Sequence, residues 1–379
     1  MDQRSSTNPL FGPNRLKLGT FCTNTALSLT TVPDLWSPTW PNIIAAARLA
    51  DDAGLEAIVP IARWKGYVDA DPAHVTHKVQ EAFTFAAAVA QATSHASIFA
   101  TSHAPMMHPL VVAKQAATID HISGGRFALN VVGGWNRREF EMFGIDLVEH
   151  SQRYAFLREW LGIVRSLWTE DGEMDIASRH FTMKKAVLQP KPIQRPGPPI
   201  MNAGLSSAGM AFAAENSDIA FVSLNGDNPD LWRSQVAEYK ALAREKRGVD
   251  LRVWTNVHII QHESVEAALA ERTRFADTFR DHQAVEGFLT TIMAESGVPS
   301  DPAVAEMLRS RLATGTGYPL VGDAATIAAQ LKSISDSGID GALLGFVNFL
   351  DGLPLFLEHV VPKLEASGLR APHHRGSRA

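Results

Sequence analysis

Asn130 stands inside SGGRFALNVVGGW (123–135), a turn, an apolar run and a second turn. A carboxamide buried in such a run costs free energy unless its hydrogen bonds are made, so it has either a structural partner or a polar ligand. Thr101 ends the preceding apolar run, ASIFATS (96–102), and is placed to be that partner or to share that ligand. In NAGLSSAGMAF (202–212), Gly204 closes a strand while Ser206 and Ser207 open a helix. Free amides, two hydroxyls and the helix dipole would converge there on an anion, although plain N-capping explains the same residues. In HSQRY (150–154), Ser151 is placed to cap a helix, and Arg153 and Tyr154 offer a guanidinium and a phenol to a phosphate. A solvated helix start is the alternative.

Other chemistries find less support. His74 and His77 are three apart and His103, His108 and His121 cluster further on, but carboxylates at ligand spacing are absent. HESVE (262–266) lacks the second histidine of an HExxH site, so no metal is expected. No GxxxxGK loop, GxGxxG fingerprint or GxSxG elbow is present, which argues against an ATPase, a Rossmann NAD enzyme and an α/β-hydrolase. A net charge of -5 argues against a nucleic-acid surface. Cys22 is the single cysteine, excluding an intrachain disulfide and a CxxC site and fitting a reducing cytoplasm. With no secretory leader and no apolar run of membrane-spanning length, no membrane association is expected.

The elements that must position these residues come as repeats. Strand-like LKLGTF (16–21), EAIVPIA (56–62), ASIFATS (96–102) and RFALNVVGG (126–134) alternate with helical spacing at 41–54, 79–93, 109–123, 136–143 and 150–169. The stretch 173–192 reads as an inserted hairpin. PIMNAGL (199–205), DIAFVSL (218–224), VWTNVHII (253–260) and GALLGFV (341–347) complete eight strands. Helices are expected at 206–216, 229–247, from 264, at 325–338 and at 353–366, and a polar stretch at 283–320 interrupts the rhythm.

Eight such units favour an α/β fold of the (β/α)8 TIM-barrel class over an open doubly wound sheet. The expected organisation is one barrel domain, 14–368, with insertions near 173–192 and 283–320, a flexible N-terminal segment 1–13 and a flexible tail 369–379. In a barrel, chemistry gathers where strands end. That selects Cys22 to Asn24, Arg63, Thr101 to His103, Asn130, Gly204 to Ser207, Asn225 and Asn348.

AKQAATIDHISGGRFALNVVGGWNRREFEMFGI (113–145), HSQRY, LQPKPIQRPGPPIMNAGLSSAGMAFAAENSD (188–218) and YPLVGDAATIAAQL (318–331) together resemble the bacterial-luciferase-like flavin monooxygenases. The likeness is strongest to the branch holding pyrimidine oxygenase, dimethylsulfone monooxygenase and alkanesulfonate monooxygenase. It implies a luciferase-like TIM barrel using reduced FMN from a separate NAD(P)H-dependent flavin reductase, with O2 as co-substrate. The expected outcome is oxygenation that cleaves a C–S, C–N or C–halogen bond in a small organic substrate, with a flavin N5-oxide as one route. The resemblance also implies a homo-oligomer, a dimer or tetramer.

By matching positions the resemblance implies that Thr101 and Asn130 act at the flavin ring. Glu139 is another implied flavin contact, and Arg153, Tyr154, Gly204, Ser206 and Ser207 are implied to grip the phosphate and ribityl chain. Ala62 and Arg63, also implied cofactor contacts, stand where pyrimidine oxygenase has Ile–Lys, and Gly133 replaces a Thr or Ser, so the pocket departs from the relatives and leaves the substrate open. Arg63 and His103 are the candidates for substrate contact. A deazaflavin-dependent reductase or dehydrogenase on the same barrel and a non-catalytic flavin-binding protein are the alternatives.

Overall fold

Short strands and amphipathic helices alternate from Lys17 onward in the computed structural model, which describes residues 8–224, 226–294 and 301–373. Asn225 lies outside the described residues. The first half runs β1 (Lys17–Phe21), α1 (Trp40–Asp52), β2 (Ala57–Val59), α2 (Ala82–Ala92), β3 (Ser97–His103), α3 (Pro109–Ser123) and β4 (Phe127–Val132). After β4 come α4 (Arg137–Met142) and α5 (His150–Thr169), and then an antiparallel hairpin of β5 (Met174–Ala177) and β6 (Thr182–Ala186), where an insertion was expected.

The second half runs β7 (Ile200–Asn202), α6 (Ser207–Asn216), β8 (Ile219–Val222), α7 (Pro229–Arg247), β9 (Arg252–Gln261) and α8 (Val265–Thr273). Helices α9 (His282–Ile292) and α10 (Pro302–Thr314), strand β10 (Tyr318–Gly322), α11 (Ala324–Asp336), β11 (Gly341–Gly345), α12 (Phe349–His359) and α13 (Val361–Ala366) complete it.

β1, β2, β3, β4, β7, β8, β9 and β11 pair in that order, all in parallel, and β11 returns to β1, which closes an eight-stranded barrel. β10 is additional, pairing with the last residues of β9 from Tyr318↔Val257 to Gly322↔Gln261. The eight strands are those expected from the sequence. The stretch 283–320 differs from its polar appearance by containing most of α9 and all of α10, whose buried Ala284, Val285, Leu289 and Ala313 form a satellite core with Leu29 and Tyr67.

Alternation along each strand sorts side chains to two cores. Ala57, Val59, Phe99, Ala128, Met201, Ile219, Trp254 and Leu343 fill the barrel, whereas Leu18, Ile58, Ile98, Leu129 and Leu344 pack against the helices. Local signals set the helix ends. α3 starts at Pro109 with His108 as N-cap and stops at Gly124 in the left-handed conformation, φ 66°.

The ends are more integrated than expected. Leu10 is fully buried in the barrel core, and Arg252 lies over the Phe11 ring, so the N-terminal segment plugs the end opposite the strand C-termini. Arg370 is buried as well. It donates to the carbonyls of Leu16 and Gly54 and to Glu56 Oε2 at 2.7 Å. These contacts exist because Arg370 supplies the cation that the buried Glu56 carboxylate needs.

Candidate active site

β3 and β4 bring Thr101 and Asn130 side by side, paired in register and facing the barrel interior. Asn130 Nδ2 donates to Thr101 Oγ1 at 3.1 Å, and the Thr101 hydroxyl donates to the Pro60 carbonyl at 2.7 Å. The structural partner weighed from the sequence is therefore present. It satisfies only half of the carboxamide, because Asn130 Oδ1 is buried without a hydrogen-bond partner. An unmatched buried acceptor costs roughly 1–3 kcal/mol, and a ligand N–H would remove that penalty.

His103 sits one inward position beyond Thr101. Its Nδ1 lies 3.5 Å from Glu139 Oε2, both side chains being almost fully buried, yet the contact does not qualify as a hydrogen bond. Burial holds the imidazole pKa below its ordinary value despite the opposing pull of the Glu139 carboxylate. Glu139 Oε1 meanwhile accepts from the Trp64 and Lys65 amides at 2.9 and 3.3 Å. Its carboxylate thus ties the loop after β2, which carries Ala62 and Arg63, to the start of α4. Arg63 donates to Thr25 Oγ1 at 2.7 Å and lies over the Tyr67 ring at 5.0 Å.

On the neighbouring side, β7 and α6 build the expected helix start. Ser206 is the N-cap, its Oγ accepting from the Gly209 amide at 3.1 Å, and Tyr154 hydrogen-bonds Ser206. Ser207 is the first residue of the helix, whose leading amides lack partners within it. Gly204 and Gly209 are in backbone contact: a Cβ on Gly204 would stand 2.5 Å from Gly209 Cα, and one on Gly209 would stand 2.4 Å from Tyr154 Oη. Tyr239 donates to the Gly204 carbonyl at 2.7 Å, and burial pushes its phenol pKa up to about 12. Burial also raises that of Tyr154, so both phenols stay protonated donors.

Arg153 is buried and donates to the Gly134 carbonyl at 2.9 Å, linking the phosphate-type cradle to the exit of β4. Gly134 has φ 78°, and a Cβ there would meet the Phe140 ring at 2.4 Å. Gly134 therefore answers first to this turn and to Phe140, while a Cβ on Gly133 would stand 3.1 Å from Leu157 Cδ1. Helix α5 takes Glu149 as its N-cap, so Ser151 is inside the first turn and not at the cap.

Other sequence candidates are structural. His77 Nδ1 accepts from the Gly66 amide and its Nε2 donates to the Val68 carbonyl, while His74 pairs with Asp281 at 2.9 Å. Asn348 caps α12. Among the described residues no cluster of three His, Cys, Asp or Glu has a metal-binding arrangement. A cleft of about 710 Å³ lined by Gln261, Asp323, Glu358 and Lys363 contains none of the candidate residues.

Two inward-facing residues of β9, Asn256 and His258, went unnoticed in the sequence. Both follow Trp254 at two-residue spacing, the signal that could have found them. Asn256 is 8% exposed and no described residue hydrogen-bonds its carboxamide. His258 is 1% exposed with both ring nitrogens unpartnered, and burial lowers its pKa to about 3.

Residues 16–341 match the family model of luciferase-like monooxygenases. The pyrimidine monooxygenase RutA of Cronobacter sakazakii is 34% identical over 287 residues, covering 74% of this chain and 83% of the relative. A riboflavin lyase, solved with modified FMN and riboflavin, superposes with a TM-score of 0.82 at 19% identity, over 96% of this chain and 94% of the other. DmoA from Hyphomicrobium sulfonivorans gives a TM-score of 0.81 at 18% identity, over 96% and 91%.

Proposed function

The chain belongs to the luciferase-like monooxygenases, and from that premise we propose that it is a two-component enzyme using reduced FMN and O2. One oxygen atom enters a small organic substrate and the other leaves as water, with two electrons supplied by the flavin. Oxygenation at a carbon bearing sulfur, nitrogen or halogen then releases that substituent. The name of the pyrimidine monooxygenase relatives supports trying nitrogen heterocycles first.

The observation that carries this reading is the half-satisfied Asn130, whose Oδ1 has no partner at the mouth of the barrel. That acceptor and Thr101 suit the polar edge of a flavin ring. Ser206, Ser207, Tyr154 and Arg153 suit its phosphate and ribityl chain, with Gly204 leaving room for close backbone approach. Ala62, Arg63 and Glu139 hold the loop that would flank the ring, and Arg63 and His103 face the space left for substrate. The protein's part is to orient, to exclude water and to present the substrate.

The test combines the purified chain, a separate NAD(P)H:flavin reductase, FMN and 18O2 with uracil and related heterocycles. One labelled oxygen in the product, together with no NAD(P)H oxidation by the chain and FMN alone, is expected. Unlabelled products, or rapid NAD(P)H oxidation without the reductase, would overturn the proposal.

A further inference from the structure

We infer that Asn256 and His258 form an uncharged substrate-recognition pair facing Thr101 and Asn130 across the barrel mouth, an assignment that rests on the oxygenase reading above. The register gives the placement. From His258 the paired residue is Gly345, and extending the β11–β1 and β2–β3 ladders by one residue leads on through Phe21 and Val59 to Phe99. In a tilted eight-stranded barrel the level position rises by roughly one residue per strand. The residue level with His258 on β3 is therefore His103, and the one level with Asn256 is Thr101. β9 and β3 are four strands apart in the ring, on opposite sides.

The floor between them is apolar: Trp254, Val59, Phe99 and Leu343 lie below. On that floor a carboxamide that no described residue hydrogen-bonds and an imidazole with two buried unpartnered nitrogens have no structural rationale, since apolar side chains of similar size would avoid the desolvation cost. Gly345 and Gly315 flank the ring, a Cβ on either standing 3.1 or 2.2 Å from His258 Nδ1, so the backbone makes space for this imidazole.

The pair also defines a chemical class. A carboxamide and a neutral imidazole each offer one donor face and one acceptor face. The remaining inward cation on β9, Arg252, lies at the opposite end over Phe11. The matching ligand edge is uncharged and presents an N–H beside a carbonyl, as in amides, imides and lactams. A sulfonate or carboxylate would meet no compensating charge from this strand.

The FMN-loaded protein is to be titrated calorimetrically with uracil, 2-pyrrolidone and acetamide, and with methanesulfonate and acetate. Wild type should bind at least one neutral probe more tightly than either anion. Asn256→Leu and His258→Leu should weaken that binding about 10- to 100-fold, with His258→Gln recovering part of the loss and thermal stability equal to or above wild type. Binding of anions only, binding of none of the five, or destabilised leucine variants with unchanged probe affinity would overturn the assignment. FMN affinity measured in parallel separates the two readings. A wild type that fails to bind FMN defeats the oxygenase proposal, whereas variants that bind FMN and probe normally defeat this one.

Discussion

Asn130 has a donor matched by Thr101 and an acceptor matched by nothing, and the two halves carry different expectations. If the pair positions the reacting edge of the flavin, removing it should harm oxygenation more than cofactor affinity, because the phosphate grip is elsewhere. Asn130→Ala and Thr101→Ala should bind reduced FMN within about tenfold of wild type, a change under roughly 1.4 kcal/mol. Coupled product formation should fall much further, with hydrogen peroxide released instead. Lower melting temperature with unchanged product-to-peroxide ratio would mean that the bond is only structural.

His258 gives a second residue-scale expectation. Its folded pKa is about 3, while an unfolded histidine titrates near 6.5. Between those values the unfolded chain takes up a proton that the fold does not, so stability is lost as pH falls below about 6.5. From pH 7 to pH 5 the loss should be about 2 kcal/mol, and His258→Leu should lack it. Denaturant melts of both proteins at the two pH values check this; parallel pH dependence would contradict it.

At the scale of elements, the eight barrel strands were legible because each is a short apolar run between helical repeats, and the Ser206 helix start because its cap chemistry is local. β10 and α9 were not. β10 is short, half-exposed and follows a stretch of polar composition, and α9 buries its apolar residues in a satellite core instead of against the barrel. Asn256 and His258 were hidden by the apolar run around them, since only ring closure tells which parity points inward. The contact of Tyr154 with Gly209 likewise joins α5 to α6 and has no sequence signature. Gly209→Ala tests that junction. The added carbon would force Tyr154 and Gly204 apart, costing about 1–3 kcal/mol of stability and weakening FMN at least tenfold. Unchanged FMN affinity in a destabilised variant would reduce the junction to helix packing.

Over the whole molecule, the N-terminal plug at Leu10 and the Arg370–Glu56 pair seal the end of the barrel away from the strand C-termini. Asn130, His103 and His258, each with a buried polar atom that lacks a hydrogen-bond partner, lie at the other end. This division assigns stability to one end and ligand chemistry to the other, the arrangement that a barrel enzyme needs. The central claim is that the open end is built for reduced FMN held by its phosphate. Its most direct test is an anaerobic titration of the wild-type protein with reduced FMN, reduced riboflavin and a reduced deazaflavin cofactor. Losing a charge-assisted phosphate contact is worth about 1.5–3 kcal/mol, so reduced FMN should bind tightest and riboflavin roughly 10- to 150-fold more weakly. Riboflavin binding as tightly as FMN, or the deazaflavin binding more tightly than either, would contradict the account.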